Sequence, residues 1–256
     1  MSKDALATRR EILRRSVLAP AGLAAGIAAG GTRPALADAA VDLKLVLAVD
    51  ASGSVNEVRF ELQKRGYVAA FRNSRVIKAV QSGAAGGIGV TMMQWTGPDM
   101  QAMAVPWSVV RDAATAESFA RAIERGPRQL FGGGTSISGA IDHGVALLGA
   151  CPFSGGRRVI DVSGDGANNR GRPAHEARDD AVAKEITING LPILSIEPFL
   201  DRHYKSDVIG GVNAFMVVAS SYEEFSDAIL KKMITEIAAV DPDMPGVIRP
   251  VPTKRG

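Results

Sequence analysis

Short apolar runs alternate along this chain with longer stretches whose apolar residues recur at helical spacing. The apolar runs predict strands near Leu43–Val49, Ile88–Trp95, Ala102–Trp107, Arg158–Ser163, Leu191–Glu197 and Asn213–Val218. The longer stretches predict helices near Val55–Val80, Ala116–Glu124, Ser136–Leu148, Ala174–Asn189 and Tyr222–Ala238. In the last of these, Phe225, Ile229, Met233 and Ile237 form one apolar stripe, and Ser221 with Glu224 reads as a capping box at its start. Strands alternating with helices predict an α/β fold, a mostly parallel sheet covered on both faces. The short link Thr96-Gly97-Pro98-Asp99 predicts a hairpin between the second and third strands, making the third an antiparallel edge strand.

Polar residues with chemical potential gather where strands end. Asp50-Ala51-Ser52-Gly53-Ser54 follows the first strand and precedes the first helix. Phe131-Gly132-Gly133-Gly134-Thr135-Ser136 is a glycine-rich turn entering a helix, and Ser163-Gly164-Asp165-Gly166 closes another strand with an Asp-Gly turn. Ligands of open α/β sheets bind at the carboxyl ends of the strands. A set of hydroxyl and carboxylate oxygens suits a hard divalent cation such as Mg²⁺ or Mn²⁺. An isolated D-x-S-x-S also arises in ordinary turns, where Asp or Ser before a helix is only an N-cap. Thr135 and Asp165 at the expected element boundaries are what distinguish this series.

The ordered series D-x-S-x-S, then Thr, then D-G resembles the metal-ion-dependent adhesion site of the von Willebrand factor type A domain. The resemblance spans about Val41 to Ala238 and is greatest to a group of exported bacterial proteins carrying this domain. It implies a doubly wound, mostly parallel, Rossmann-like sheet with one antiparallel edge strand and helices on both faces. It implies Ser52 and Ser54 as direct hydroxyl ligands, and Thr135 as a ligand directly or through water. Asp50 and Asp165 would be outer carboxylates holding bound waters. A metal so held stays electron-poor and takes its last ligand from an acidic side chain of a partner protein. In related domains the last helix slides when the metal changes ligand, whereas the stripe on this one signals ordinary packing.

The N-terminus changes how charge is read. Thr8-Arg9-Arg10-Glu11-Ile12-Leu13-Arg14 resembles a twin-arginine export signal. It is followed by the apolar segment Val17–Ala29 and the small-residue cleavage site Ala35-Leu36-Ala37. The alternative is a retained anchor, but a spanning helix needs about 20 apolar residues, and this segment is shorter and holds Pro20. The expected layout is a signal over residues 1–37, a type A domain over 41–239 and a Pro-rich tail over 240–256, and the expected location is periplasmic or secreted. The whole chain has a formal net charge of +3, but residues 1–37 hold six of its 30 basic and two of its 27 acidic residues. The exported part would therefore carry a charge of −1, which argues against nucleic acid as a partner.

Other chemistry is sparse. His143, His175 and His203 lack zinc spacing, no phosphate-binding loop of the G-x-x-x-x-G-K type occurs, and no G-x-S-x-G elbow occurs. The lone Cys151 admits no internal disulfide and reads as a small buried hydrophobe, and Asp161 as a structural carboxylate inside a strand. Asn168 and Asn169 read as turn residues or as the rim of the site. The expected function is an exported, metal-dependent protein-binding module and not an enzyme. Two alternatives stay open. One is a Mg²⁺-dependent phosphate-ester hydrolase or phosphotransferase, against which stands Ser52 where a second carboxylate would serve as acid/base. The other is a scaffold whose metal only stabilises loops.

Overall fold

A computed structural model describes residues 39–238 and residue 248 of the chain. The expected signal over 1–37 and all of the 240–256 tail except Ile248 lie outside the described residues. Five strands form one sheet in the order β3-β2-β1-β4-β5. They are β1 (Leu43–Asp50), β2 (Ile88–Trp95), β3 (Gln101–Val110), β4 (Arg157–Gly164) and β5 (Thr187–Pro192). β2, β1, β4 and β5 run parallel, and β3 pairs antiparallel with β2 as the expected edge strand.

The central strand shows why its sequence is almost continuously apolar. Leu43, Leu45, Leu47 and Val49 of β1 enter one core, while Val46 and Ala48 enter the other. Side chains alternate across a strand, so a strand covered on both faces must be apolar on both. The first face carries α1 (Glu57–Arg72), α2 (Ser74–Gln81), α3 (Ala113–Arg125) and α7 (Phe225–Ala238). The second carries α4 (Ile137–Gly149), α5 (Ala174–Ala183) and the short α6 (Leu200–His203), which continues into a π-helical turn over Tyr204–Val208. The stripe Phe225, Ile229, Met233 and Ile237 is buried in the first core.

Several element boundaries differ from expectation. The helix expected over Val55–Val80 is two helices, because Asn73 ends α1 and caps α2, its side chain accepting from Arg75 N–H at 2.9 Å. The helix expected over Ala174–Asn189 stops at Ala183, and Glu185 turns the chain with a left-handed φ of 57°. Thr187, Ile188 and Asn189 then belong to β5, which therefore starts four residues before the expected Leu191. The segment Asn213–Val218 runs beside β5 without becoming a regular strand. It is tied by Gly190 N–H to Phe215 carbonyl and Val217 N–H to Gly190 carbonyl, both at 3.1 Å. Met216 also pairs with Ile248. Ser221 does not cap α7, whose first residue is Phe225. Cys151 is half-buried, and that partial burial raises its thiol pKa.

Candidate metal centre

The carboxyl ends of β1 and β4 hold a hydrogen-bonded polar cluster. Asp50 ends β1 and is wholly buried. Its Oδ1 accepts the Ser52 N–H at 2.7 Å, an Asx turn that folds the loop back on itself. The fold-back sets the Ser52 and Ser54 hydroxyls 3.1 Å apart. Ser54 Oγ donates to Asp165 Oδ1 at 2.6 Å, and Asp165 N–H reaches Asp50 Oδ2 at 3.4 Å. Asp50, Ser52, Ser54 and Asp165 are thus one connected group.

Thr135 arrives on a separate segment, the turn before α4. Ser136 N–H donates to the Thr96 carbonyl at the end of β2, at 2.7 Å. The Thr135 N–H donates to Asn169 Oδ1, and Asn169 N–H returns to the Thr135 carbonyl, both at 2.9 Å. Thr135 Oγ1 lies 3.5 Å from the position a Cβ on Gly166 would take, in the turn after Asp165. The structure therefore brings all five expected residues to one end of the sheet. Gly132, Gly133 and Gly134 have φ of 71°, 86° and 83°, a run of left-handed backbone that side-chain-bearing residues resist. Space demands glycine as well, since a Cβ on Gly133 would stand 2.7 Å from Met100 Sδ.

Supporting residues were not singled out in the sequence. Arg59 Nη1 donates to the Ser54 carbonyl at 2.8 Å and lies 3.5 Å from Asp165 Oδ2. Arg128 Nη2 donates to the Ala51 and Ser52 carbonyls at 2.9 and 3.2 Å. The loop backbone is thus held by guanidinium groups from two sides. Tyr222 donates to Asp165 Oδ2 at 2.9 Å, and burial with the nearby carboxylates raises its pKa, so it remains a donor. Asn168 Oδ1 accepts from Ser138 N–H at 3.0 Å, so both asparagines act as posts for the Thr135 turn and the start of α4. No local motif marks Arg59, Arg128 or Tyr222. Only the consecutive asparagines carried a signal.

Burial dominates the electrostatics of the cluster. Burial, with Asp165 adding like charge, pushes the Asp50 carboxyl up to about 7 against the lowering effect of its Ser52 bonds. Among the described residues no group of three or more His, Cys, Asp and Glu side chains is arranged to hold a metal. His203 of α6 and His175 of α5 do approach Asp207 of the π-helical turn, at 3.0 and 3.9 Å, but neither belongs to the strand-end cluster. A cation at the strand ends would depend on the hydroxyls of Ser52, Ser54 and Thr135 together with the two carboxylates. An oxygen-only donor set beside two buried carboxylates fits a hard divalent ion.

Comparisons with known proteins agree with this fold. The family described as "Protein of unknown function (DUF1194)" matches residues 40–241. No curated protein matches the chain. Among solved structures, proximal thread matrix protein 1 from the mussel byssus, described with a zinc-occupied MIDAS motif, is 18% identical with a TM-score of 0.59. That likeness covers 78% of this chain and 49% of the mussel protein, so the chain spans about half the length of that relative. A von Willebrand factor type A protein from Catenulispora acidiphila is 14% identical, with a TM-score of 0.56 over 77% of this chain and 43% of that one. The pilus adhesin SpaC of Lactobacillus rhamnosus GG is 15% identical, with a TM-score of 0.56 over 77% of this chain and 30% of the adhesin. The fold is that of a von Willebrand factor type A domain.

Proposed function

The chain belongs to the DUF1194 family, and from that premise and the cluster at its strand ends we propose that it is an exported, metal-dependent protein-binding module. The carrying observation is the convergence of Asp50, Ser52, Ser54, Thr135 and Asp165 from three separate chain segments onto one sheet end. In this reading Ser52 and Ser54 hold a divalent cation directly, and Thr135 does so directly or through water. Asp50 and Asp165 balance its charge through bound waters. The ion is Mg²⁺ or Mn²⁺, whose preference for oxygen and retained water matches a site with its carboxylates set back. The zinc-occupied motif of the mussel protein supports a divalent ion in this fold.

Bound there, the ion supplies a positive point charge that recognises a carboxylate. The partner is a protein offering an acidic side chain, met in the periplasm or outside the cell after twin-arginine export. Among the described residues no helix is long and apolar enough to cross a membrane, which is compatible with that route. The reading is of a binding module and not an enzyme. An aspartyl phosphotransferase needs an acid/base carboxylate two residues after its nucleophile, and Ser52 stands at that position after Asp50.

The test is calorimetric titration of Mg²⁺ and Mn²⁺ into the wild type, Asp50→Ala and the paired Ser52→Ala/Ser54→Ala variant. Saturable binding that the variants lose is expected. Undiminished metal binding in the variants would sink the assignment of these residues. Recovery of an envelope protein on the immobilised wild type, abolished by chelator, is the expected sign of partner capture. Metal that raises melting temperature with no chelator-sensitive partner would favour the scaffold instead.

A further inference from the structure

Behind Asp50 lies a second layer of polar atoms that the five-residue site does not use. Tyr204 and Trp95 are both fully buried. Neither Tyr204 Oη nor Trp95 Nε1 has a hydrogen-bond partner among the described residues. Both approach Gly164, the last residue of β4 and the neighbour of Asp165. The position a Cβ on Gly164 would occupy is 2.9 Å from Asp50 Oδ2, 3.1 Å from Tyr204 Oη and 3.2 Å from Trp95 Cζ2.

Two glycines make this approach possible. A Cβ on Gly190 of β5 would stand 2.6 Å from Tyr204 Cδ1, so that glycine admits the ring. Gly164 admits the hydroxyl. The π-helical turn begins at Tyr204, whose carbonyl accepts the Ile209 N–H at 2.9 Å, five residues on. Such turns concentrate at functional sites. Apart from its hydroxyl, the ring packs in the apolar second core, where phenylalanine would serve equally.

The Asp50 carboxylate is unevenly satisfied. Its Oδ1 has the 2.7 Å bond from Ser52 N–H, whereas the backbone contact at Oδ2, from Asp165 N–H, is long at 3.4 Å. Leaving a buried hydroxyl unpaired is costly, so buried polar atoms are almost always partnered by protein or water. The unpaired Tyr204 hydroxyl and the Asp50 Oδ2 acceptor, brought to the same glycine, are polar partners of the kind a buried water takes.

We propose that Tyr204 is a positioning residue for Asp50, its hydroxyl joined to Asp50 Oδ2 by a buried water in the space beside Gly164. This rests on the reading of Asp50 as part of a metal centre. The bond fixes the orientation of the carboxylate that holds the metal's waters, as partners behind metal ligands generally do.

The test is Tyr204→Phe in the full chain, which keeps the ring and removes only the hydroxyl. Mg²⁺ and Mn²⁺ affinity, read by calorimetry, should fall about tenfold or more, the usual effect of losing such a partner. Melting of the chelated variant should match the wild type, which separates positioning from a merely structural role. Equal metal affinity in variant and wild type overturns the proposal. A wild type that binds neither ion would instead sink the metal reading itself. As a second measurement, a high-resolution structure of the metal-loaded protein should show a water bonded to both Tyr204 Oη and Asp50 Oδ2. A dry space there also overturns the proposal.

Discussion

Asp50 concentrates the energetic tension of the site. It is wholly buried and its carboxyl is pushed up to about 7, so the folded, metal-free protein keeps the proton across mildly acidic pH. The unfolded chain releases it near the ordinary value of 3.8. The folded state therefore binds more protons between about pH 4 and 7, and stability falls as pH rises through that window. A bound divalent cation favours the carboxylate, so metal affinity should climb over the same range. Urea unfolding at pH 5 and pH 8 with chelator should show the loss, at about 1.4 kcal/mol per pKa unit. The difference between wild type and Asp50→Asn isolates the Asp50 part. A loss that is identical in that variant would refute this account of Asp50. At this scale the five residues of the cluster were legible because they sit in contiguous motifs. Arg59, Arg128, Tyr222 and Tyr204 were not, because each reaches the site across the fold from a segment with no local signature.

At the scale of elements, α7 is held by more than its apolar stripe. Lys232 is fully buried, with Nζ 2.5 Å from Asp161 Oδ1 of β4 and 3.5 Å from Glu236 Oε2. Glu236 Oε1 accepts from Asn189 Nδ2 of β5 at 2.8 Å. The ammonium also lies 5.4 Å from the Phe215 ring centroid. Removing one partner of a buried ion pair leaves an uncompensated charge, so Lys232→Met should cost about 3–5 kcal/mol in urea unfolding. Adding Asp161→Asn should recover part of that loss, because breaking the pair costs more than replacing it. A Lys232→Met protein as stable as wild type would show that α7 is held by apolar packing alone. The stripe Phe225, Ile229, Met233 and Ile237 was readable from its spacing. Lys232 was not, since a lysine on an apolar helix ordinarily reaches solvent. The missed boundaries have local causes too: Asn73 both ends and caps a helix, and the left-handed Glu185 stops another just before a β-branched pair. Period alone does not see either device.

On the whole molecule, two exposed aromatic residues lie on segments that adjoin the strand-end cluster. Phe131 and Phe199 are each 64% exposed, and each lies beneath a guanidinium, Arg128 at 4.7 Å and Arg202 at 4.4 Å. Phe131 precedes the glycine run leading to Thr135, and Gly132 Cα is 3.7 Å from the position of a Cβ on Gly53. Phe199 follows Glu197, whose Oε1 accepts from Ala167 N–H at 3.1 Å, two residues beyond Asp165. A face that captures an acidic side chain gains specificity from contacts around the metal, and exposed aromatics paired with arginine are the residue types that dominate such contacts. Phe131→Ala together with Phe199→Ala should therefore weaken chelator-sensitive capture of the partner by about 1–2 kcal/mol or more, a fold-change of roughly ten. The same pair should leave Mg²⁺ and Mn²⁺ affinity unchanged, because neither ring supplies an oxygen to the site. Metal affinity by calorimetry and partner affinity by immobilised capture, measured on the same preparations, separate the two effects. Undiminished capture would place recognition elsewhere on the molecule, whereas loss of metal binding would mean that the rings hold the loops and not the partner.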